Sequence, residues 1–559
     1  MIRYELKQEL NKILELTNNE QYSIEEPPQN IDFDFATNIL AVMSKKLKKS
    51  PQSISSEIIR KINANSELIE SAVFSPPCFI NFNINKQRLY REMQKVFTET
   101  DKYPVMELGK SQSILVEFVS SNPTGPLHIG HGRCAAMGDT LSRIFTQLGF
   151  DVKREYYINN IGNQIQSLAG SVMEKCEEHQ PGFLSVSEKE WLGNKVKDNF
   201  YKGSYIKDIA IELINELGAN KQLLAARAAN FLEFYSNYSV NKIMGWIEQD
   251  MELFRVKFDY WSKESDLYVS GEVDKMLKLL EEKKLAEKRD GALWFKSTQL
   301  GDEKDRVLVR QTGEKTYFAS DIAYHAGKYR KGYSKLINIW GADHHGYVSR
   351  IKNSMKALGF DDTKLEIILY QLVSLLRNNV PVTMSTRAGE FVTLKEVINE
   401  IGADATRYFL VTRTPNSTIQ FDLELAKKKS LDNPVYYIQY AHTRCCGILR
   451  EAEKQFSADD LNIRNCKPDL LVTAEEHEII SQIAFYQDIL CSCYNSLTPH
   501  LLVTYLLSFA NLFHTYYAKS RVITEDMELS KSRLLLIKSI RIIISNGLNL
   551  LGVSAPEKM

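Results

Sequence analysis

The sequence lacks an excess of charge of either sign. Lys and Arg together number 70, Asp and Glu together also number 70, and the formal net charge is zero. A neutral balance does not exclude a nucleic-acid partner, but it requires that any basic surface be local. Long hydrophobic runs are missing as well, since the most apolar stretch, LLLIKSIRIIISNG (534–547), is interrupted by polar residues. We therefore expect no membrane-spanning segment.

Cysteine is scarce, and its spacing is not that of a metal site. The eight cysteines include a CC pair at 445–446 and a CSC triplet at 491–493, and neither has a second pair at zinc-ligand spacing. Reduced thiols are the natural interpretation, which predicts a cytoplasmic protein without a tightly bound metal. The first residues, MIRYELKQEL, are charged and do not resemble a signal peptide.

The length of 559 residues predicts several domains. Residues 1–108 alternate between helical and strand-like patterns and are predicted to form a small α/β domain, with CFINFNI (78–84) as a strand. Residues 109–400 are predicted to form a larger α/β domain with a helical insertion at about 165–300. Residues 401–559 have helical periodicity almost throughout and are predicted to form an all-α bundle.

Two βαβ patterns predict a doubly wound, Rossmann-like parallel sheet. ILVEFVSS (114–121) is typical of a buried strand, a Pro/Gly loop and a helix follow, and 150–158 alternates as the next strand. The second pattern occupies 336–359, followed by another strand candidate in KLEIILYQLVSLL. In such a sheet, ligands bind outside the carboxyl ends of the strands, where the two halves meet.

Two histidines lie at one of these strand-to-helix turns. In SNPTGPLHIGHGR (121–133), His128 and His131 flank Gly130 at the start of the helix. Helix N-termini present unpaired N–H groups that bind anions, and imidazoles can donate further hydrogen bonds to phosphate oxygens. The alternative interpretation is that the histidines only cap the helix or fill the core.

Several longer motifs resemble those of a known family, and this resemblance favours phosphate binding over a purely structural role for the two histidines. The chain resembles the class I aminoacyl-tRNA synthetases, specifically the bacterial type of arginyl-tRNA synthetase. The motifs that carry the resemblance are VEFVSSNPTGPLHIGHGR (116–133), EYYINNIGNQI (155–165), KTYFASDIAYH (315–325), WGADHHGY (340–347), TMSTRAGEFVTL (383–394) and IGADATRYFL (401–410). They span most of the chain. The resemblance implies an enzyme that activates L-arginine with ATP and transfers it to the 3′-terminal ribose of tRNA(Arg), with ATP entering as its Mg²⁺ complex. It also implies a monomer without a membrane partner.

The resemblance assigns arginine-binding roles to five residues: Glu117, Ser120, Asn122, Tyr317 and Asp321. Carboxylates suit this substrate, because a guanidinium is permanently charged and offers a planar fork of donors. A lone carboxylate inside the apolar strand at 114–121 is costly unless it is paired. Glu117 therefore has a second interpretation, a structural salt bridge, and Ser120 and Asn122 could equally serve the turn before Pro123.

ATP contacts are implied for His128, Gly130, His131, Asp343, His344 and Met384. Asp343 and His344 could instead be N-cap residues of the following helix.

One motif departs from the family pattern. Class I enzymes usually carry a KMSKS loop, and here Thr383 and Thr386 stand where its lysines are expected. In some arginyl enzymes a lysine just before the histidine motif substitutes, but residues 123–127 contain none. We hypothesise that Arg387 supplies the missing positive charge, together with Mg²⁺ and Arg133, while Ser385 retains a catalytic role. The departure also leaves a weakly active or inactive enzyme as an alternative.

The family implies a DALR-type anticodon-binding bundle at 401–559 and an N-terminal domain that contacts the tRNA elbow. Unstacked bases are recognised by aromatic stacking, so Tyr437, Tyr440 and Tyr516 are candidate tRNA contacts, with Phe79 in the N-terminal domain. Core packing is the alternative for the tyrosines, which recur at helical spacing. Three rival functions also remain open: another class I synthetase, an HxGH nucleotidyltransferase, and a non-catalytic tRNA-binding paralogue.

Overall fold

The computed structural model describes the chain except for residues 18–19, 26, 28–32, 379, 383–391, 458–459, 461 and 463–466. Its N-terminal part is a four-stranded antiparallel sheet covered by helices. The helices are α1 (Ile2–Ile13), α2 (Ile39–Leu47), α3 (Pro51–Asn65) and α4 (Lys86–Glu99), and the strands are β1 (Ile24–Glu25), β2 (Phe35–Thr37), β3 (Ile69–Ser75) and β4 (Phe79–Ile84). The strand order is β1-β2-β4-β3. The expected α/β character of this region and its strand near 78–84 are confirmed.

The central part contains the parallel sheet. Its elements in chain order are β5 (Ser113–Glu117), α5 (Ile129–Gln147), β6 (Asp151–Ile158), α6 (Asn163–His179), α7 (Val186–Gly193), α8 (Ser204–Ala219), α9 (Lys221–Ala229), α10 (Phe231–Leu253), β7 (Tyr260–Lys263), α11 (Glu264–Val269), α12 (Glu272–Glu282), β8 (Ala286–Arg289), β9 (Ala292–Phe295), β10 (Arg306–Val309), α13 (Tyr317–Arg330), β11 (Lys335–Gly341), α14 (His345–Leu358), β12 (Leu365–Tyr370), β13 (Val373–Arg377) and β14 (Val380–Pro381).

The order β12-β11-β5-β6-β7, parallel throughout, confirms the predicted doubly wound sheet. The chain runs outward from β5 through β6 to β7, and then returns to build β11 and β12 on the other side of β5. The crevice where ligands bind in such folds therefore opens at the carboxyl ends of β5 and β11.

The C-terminal part is mainly helical, as expected. It contains α15 (Leu394–Leu410), β15 (Ile419–Asp422), α16 (Leu423–Lys427), α17 (Pro434–Ala452), α18 (Ala474–Ser496), α19 (His500–Lys519) and α20 (Met527–Leu551). By length and hydropathy, α20 alone in the described part of the chain could cross a membrane. However, 78% of its most apolar window is buried inside the protein, so α20 is the core helix of the bundle.

Two secondary-structure expectations were wrong. The region 165–300 is not wholly helical, since it supplies β7 to the parallel sheet and the hairpin β8–β9 to a small antiparallel sheet with β10. The region after 400 contains β15, which pairs with β13. Each of these strands has four residues, which is too short for the alternation of apolar residues to be distinguished from helical periodicity.

An internal ion pair joins the C-terminal helices to α5. Arg407 on α15 is fully buried, and its guanidinium pairs with the buried Asp139 of α5. The same guanidinium donates to the carbonyls of Leu551 and Phe254, both at 2.8 Å. A buried charge is tolerated only when it is paired in this way, so these three contacts fix α15, α20 and α10 against α5.

Candidate active site

The two histidines form an unusual cap at the start of α5. His128 is the N-cap residue, and its Nδ1 accepts a hydrogen bond from the Gly130 N–H at 3.1 Å. The His128 N–H in turn donates to His131 Nδ1 at 3.3 Å. The rings stack with their centroids 3.7 Å apart. These reciprocal bonds have the pattern of a capping box, with imidazoles in place of the usual hydroxyl and carboxylate.

This geometry determines where the ring protons lie. Burial lowers the pKa of His128 and lowers that of His131 well below its usual value, with the neighbouring His128 contributing to the latter shift. Both rings are therefore neutral near pH 7. Since each Nδ1 accepts a backbone N–H, the single proton of each neutral ring lies on Nε2. The cap thus places two N–H donors beside the N-terminus of a long helix, a suitable environment for phosphate.

Gly130 is required by the position of the His128 ring. A Cβ atom at Gly130 would lie 2.9 Å from His128 Cε1, closer than such contacts normally occur. Gly132 has a similar restriction, since its Cβ would lie 2.7 Å from Leu394 Cδ1.

The backbone between β5 and the histidines is strained. Val119 and Ser120 have φ values of 69° and 38°, a left-handed region that β-branched residues such as valine rarely adopt. The Val119 N–H donates to Cys134 Sγ at 3.1 Å, and Ser120 Oγ accepts from the Tyr157 N–H at 3.1 Å. Strain held by such contacts is typical of functional sites.

Glu117, at the end of β5, forms an internal ion pair. Lys328 Nζ contacts Glu117 Oε2, the Tyr324 hydroxyl donates to the same oxygen at 3.3 Å, and Ser120 Oγ donates to Oε1 at 3.0 Å. Both carboxylate oxygens are thus occupied by protein donors. The structure thus shows the salt bridge that the second interpretation of Glu117 predicted, and the arginine-binding role of Glu117 stays a prediction.

Asp321 differs from Glu117 in its charge balance. It is 3% exposed and accepts a hydrogen bond from the Tyr347 hydroxyl at 2.6 Å. Burial, followed by the negative charges of Glu264 and Glu117, raises the pKa of Asp321 well above its usual value. Glu264 is 4% exposed, its pKa is raised by burial, and it accepts from Ser320 Oγ at 2.6 Å. Among the described residues, no lysine or arginine lies within ion-pair distance of either carboxylate.

Glu264 and Tyr347 were not predicted from the sequence as residues of this site. Glu264 directly follows β7, at the same edge of the sheet as the histidine cap. Recognition of the four-residue strand YWSK would have identified this carboxylate, because ligands bind at the carboxyl ends of parallel strands. No comparable signal marks Tyr347, which reaches Asp321 from the first turn of α14.

Tyr317 and Asn122 lie at the rim of this pocket. Tyr317 begins α13, is 49% exposed, and has its ring centroid 6.2 Å from that of Tyr347. Asn122 Nδ2 donates to Gln164 Oε1, and its Oδ1 accepts from Asn159 Nδ2, both at 2.8 Å. The structure therefore brings Ser120, Asn122, Tyr317 and Asp321 to one edge of the sheet.

Asp343 and His344 follow β11, the strand next to β5. Their side chains are exposed and 3.6 Å apart. His344 precedes α14, but its side chain makes no capping hydrogen bond, and neither does that of Asp343 in the turn before it. The N-cap alternative is therefore not supported by side-chain contacts.

Met384, Ser385 and Arg387 lie outside the described residues, as do Thr383 and Thr386. The residues on either side of that segment make backbone contacts. The Val382 N–H donates to the Leu375 carbonyl at 2.9 Å, while Thr393 forms an antiparallel bridge with His128. Thr393, two residues after that segment, is therefore in direct contact with the histidine cap.

The suggested contribution of Arg133 to phosphate binding is wrong. Arg133 is 1% exposed, and its guanidinium donates to the carbonyls of Gln371 at 2.7 Å and Thr414 at 2.8 Å. It ties α5 to the loops after β12 and α15 and has no surface left for a phosphate.

Comparison with known protein families extends along the whole chain. Three family models match: the arginyl tRNA synthetase N terminal domain over residues 1–84, the tRNA synthetases class I (R) catalytic domain over 92–429, and the DALR anticodon binding domain over 438–559. The chain belongs to the arginyl-tRNA synthetases. An arginine–tRNA ligase of Geobacter sp. (strain M21) is 43% identical over 540 residues, covering 96% of this chain and 95% of the relative. That of Aquifex aeolicus (strain VF5) is 39% identical over 588 residues, covering 98% of each.

Solved structures have the same architecture. A putative arginyl tRNA synthetase from Campylobacter jejuni, 33% identical, covers 85% of this chain and 100% of its own length with a TM-score of 0.75. The Thermus thermophilus arginyl-tRNA synthetase covers 100% of both chains with a TM-score of 0.77 at 22% identity, which is evidence for the fold alone.

This arginyl-tRNA synthetase displays an aromatic cluster on α17 and α19. Tyr440 stacks with His514 at a centroid distance of 5.9 Å, and the Arg444 guanidinium lies 4.6 Å from the ring of Tyr440 and 4.8 Å from that of Tyr517. Tyr437 is half-buried next to His514. Partly exposed rings and a guanidinium arranged in this way are suited to stack on unpaired bases.

The tRNA contact predicted for Tyr516 is corrected. Its side chain is fully buried, and its hydroxyl donates to Glu476 at 3.2 Å, so no face of the ring is open to a base. In the N-terminal region of the synthetase, Phe79 is half-buried at the start of β4, opposite Ser75 of β3.

Proposed function

We propose that this arginyl-tRNA synthetase holds the guanidinium of L-arginine between Asp321 and Glu264, with ATP on the histidine cap of α5. The observation that carries the proposal is a pair of buried carboxylates without a cationic partner among the described residues. Uncompensated buried negative charge is unfavourable, and a permanently cationic substrate supplies what is missing. Tyr347 orients Asp321, and Ser120, Asn122 and Tyr317 position the rest of the amino acid.

The ligation of arginine to tRNA proceeds in two steps in this family. The carboxylate of arginine attacks the α-phosphorus of ATP, a carboxyl oxygen–phosphorus bond forms, and the bond to the β-phosphate oxygen breaks to release pyrophosphate. A ribose hydroxyl of the tRNA terminus then attacks the adenylate carbonyl and displaces AMP. The protein contributes positioning and charge stabilisation rather than a nucleophile.

The phosphates meet neutral donors on this chain. The Nε2–H groups of His128 and His131, together with the N-terminus of α5, hydrogen-bond the oxygens where charge accumulates in the transition state. Gly130 keeps the cap compact, and Asp343, His344 and Met384 contact the nucleotide. ATP enters as its Mg²⁺ complex, and the metal is part of that substrate.

Amino-acid specificity provides the direct test of the function. Purified protein is incubated with ATP and each amino acid in turn, and ATP–pyrophosphate exchange and charging of total tRNA are measured. Arginine alone is expected to react. Citrulline is the matched control, because it preserves the shape of arginine and removes its charge, and it should give no exchange. Charging of a different amino acid, or of none with active tRNA present, would refute the proposal.

We propose tRNA(Arg) as the macromolecular partner of the exposed aromatic cluster, with Phe79 as a second contact and a cytoplasmic monomer as the working form. Tyr440→Ala should raise the KM for tRNA about tenfold, since base–aromatic stacking contributes roughly 1–3 kcal/mol per base. Tyr516→Phe is the matched control and should leave that KM unchanged. Equal effects of the two substitutions in the charging assay would remove Tyr440 from the binding surface.

A further inference from the structure

The tip of the loop that leads to the histidine cap has few hydrogen-bond donors of its own. Residues 123–126 read Pro-Thr-Gly-Pro, and prolines have no backbone N–H group. The Thr124 N–H donates to the Asn122 carbonyl at 2.8 Å, within the turn itself. Contacts that hold the tip from outside the loop therefore depend largely on its carbonyl groups.

Tyr205 supplies such a contact from the helical insertion. Its hydroxyl donates to the Thr124 carbonyl at 2.7 Å and so joins two segments that are 81 residues apart in the chain. Burial raises the pKa of Tyr205, so the hydroxyl keeps its proton and remains a donor. The residue lies in the first turn of α8, and the position of that helix is fixed by its own apolar face, which includes the fully buried Ile206, Ile209 and Ala210.

Two glycines leave room for the Tyr205 ring. A Cβ atom at Gly203, the N-cap residue of α8, would lie 2.3 Å from Tyr205 Cε1, and one at Gly125 would lie 3.1 Å from the hydroxyl oxygen. Neither glycine has a positive φ, so the backbone conformation does not require glycine at these positions. The ring of Tyr205 is therefore the feature that disfavours a side chain at both.

Three different elements hold this loop, each at a different point. Its start is held by Tyr156 of β6, whose hydroxyl accepts from the Ser121 N–H at 3.1 Å and donates to the Ser121 carbonyl at 3.0 Å. Its end is held by α15, where the Leu394 N–H donates to the Leu127 carbonyl at 2.8 Å. The tip lies between these two anchors and is held by Tyr205.

We propose that Tyr205 is a positioning residue for adenylate formation and that it acts through the Thr124 carbonyl. The inference rests on the proposed function, in which Asn122 positions arginine at the start of the loop and His128 binds ATP at its end. The arginine carboxylate must meet the α-phosphorus of ATP in line, and small misplacements of reacting atoms slow such a step severely. By holding the tip, Tyr205 sets the orientation of one substrate relative to the other.

Tyr205→Phe removes the hydroxyl and retains the ring. We expect kcat for pyrophosphate exchange, measured with total tRNA present, to fall about tenfold, because the loss of one hydrogen bond lets the two substrates leave their alignment. The KM values for arginine and for ATP should each stay within about threefold, since the groups that contact each substrate are retained. The melting temperature should stay within about 2 °C, because the core of α8 is unchanged.

Tyr505→Phe is the matched control. The Tyr505 hydroxyl donates to the Gln482 carbonyl at 2.8 Å from α19, so this substitution removes the same kind of bond in the C-terminal bundle, away from the loop. We expect kcat of the control to remain within about twofold of the unmodified protein. A comparable loss of kcat in both variants would overturn the proposal, because it would indicate a general effect on the fold.

Gly125→Ala tests the same contact from the side of the loop. The added methyl group would crowd the Tyr205 hydroxyl and should also lower kcat about tenfold. In the Tyr205→Ala background the methyl group has space, so Gly125→Ala should cost there about threefold or less. Additive losses would contradict the proposal. Should Tyr205→Ala fail to fold, Tyr205→Phe and its control still decide it.

The outcomes separate this inference from the proposed function. A normal kcat for Tyr205→Phe beside an active unmodified protein overturns the inference alone. A rise in the KM for both substrates at unchanged kcat also overturns it, because Tyr205 would then support binding and not orientation. If the unmodified protein does not exchange pyrophosphate with arginine, the proposed function fails, and the role of Tyr205 fails with it.

Discussion

The proposed arginine pocket and the proposed phosphate cap lie at the same edge of one sheet but differ in how their side chains carry charge. The pocket contains buried carboxylates, and the pKa of Asp321 is raised by burial and by the negative charges of Glu264 and Glu117. The cap contains two imidazoles whose pKa values are lowered by burial, so it meets the triphosphate with neutral donors and a helix terminus.

This difference follows the chemistry of the two ligands. A guanidinium carries a fixed charge in the ground state, and a preformed counter-charge selects it. The charge of ATP arrives partly neutralised by Mg²⁺ and shifts during the reaction, and oriented dipoles can stabilise the shifted charge without binding the ground state more tightly. The proposed sites would therefore separate ground-state selection of arginine from transition-state stabilisation of the phosphates, on two sides of the switch point.

The largest effect is expected from the charge in the pocket. Asp321→Asn should lower kcat/KM for arginine about 10³-fold, since loss of one partner from a buried charge pair costs roughly 2–5 kcal/mol. The KM for ATP should change little. Asp250→Asn is a suitable control, because Asp250 is also buried, with its pKa raised to about 6, but lies in α10 away from the pocket. If both substitutions reduce exchange equally, the pocket assignment fails.

Replacement of a cap histidine should reduce activity nearly as much, but the reduction should appear in kcat and not in the KM for arginine. His131→Asn should lower kcat for adenylate formation about 10²- to 10³-fold, the range seen when one donor to a developing charge is removed. The KM for arginine should remain near its original value. We expect the loss to be at least as great as in relatives with an intact lysine loop, so a mild decrease in single-turnover rate would contradict this view of the cap.

The contrast between a charged pocket and a neutral cap would be weaker if a side-chain cation stabilised most of the charge on the phosphates. We propose that Arg387 supplies such a charge in place of the absent loop lysines, with Ser385 beside it in sequence. Arg387→Ala should then reduce pyrophosphate exchange about 10²-fold. Arg387→Lys should restore much of the rate, because it restores the charge. A near-normal rate for the alanine variant would leave the cap and Mg²⁺ as the only counter-charges.

The smallest expected effect is on the thermal stability of the protein. It tests the charge of the pocket separately from the cap, and it requires no enzymatic turnover. Because the pKa of Asp321 is raised in the folded protein, the native state binds the proton more tightly than the unfolded chain. The contribution of Asp321 to the stability of the folded protein is therefore favourable at low pH. It is lost as the pH rises above the ordinary aspartate range.

Between pH 5 and pH 8, the melting temperature of the unliganded protein should fall relative to Asp321→Asn by about 2 °C. Saturating arginine should abolish that difference by supplying the missing cation. Parallel pH profiles of the two proteins in thermal melts, with and without arginine, would show that Asp321 is compensated by the protein.

The sequence predicted the architecture well where its patterns were long. The strand before the histidines, the helix after them and the second βαβ unit have clear periodicity, and the HIGH-like motif sits on the predicted turn. The short strands β7 and β15 were missed because four residues give no usable period. Because β7 was not predicted, Glu264, the second carboxylate of the proposed pocket, was not predicted either.

Charge pairing was the other feature that sequence could not supply. Glu117 and Asp321 look alike in the primary structure, and only their surroundings separate them: Lys328 is seven residues after Asp321 but 211 residues after Glu117, and it pairs with Glu117. Likewise, Tyr437 and Tyr516 both follow helical spacing, yet Tyr516 faces the core of the bundle. Partners distant along the chain decide such roles, and one sequence does not reveal them.

The contact between Arg407 and Asp139 limits how far this protein can be treated as modular. A cut near residue 400 would separate a buried aspartate on the helix of the histidine cap from the arginine that neutralises it, and would expose the carbonyl of Phe254 that this arginine occupies. The C-terminal helices are therefore a poor cassette for recombination with another catalytic domain, unless the new partner brings an acidic residue to the same position.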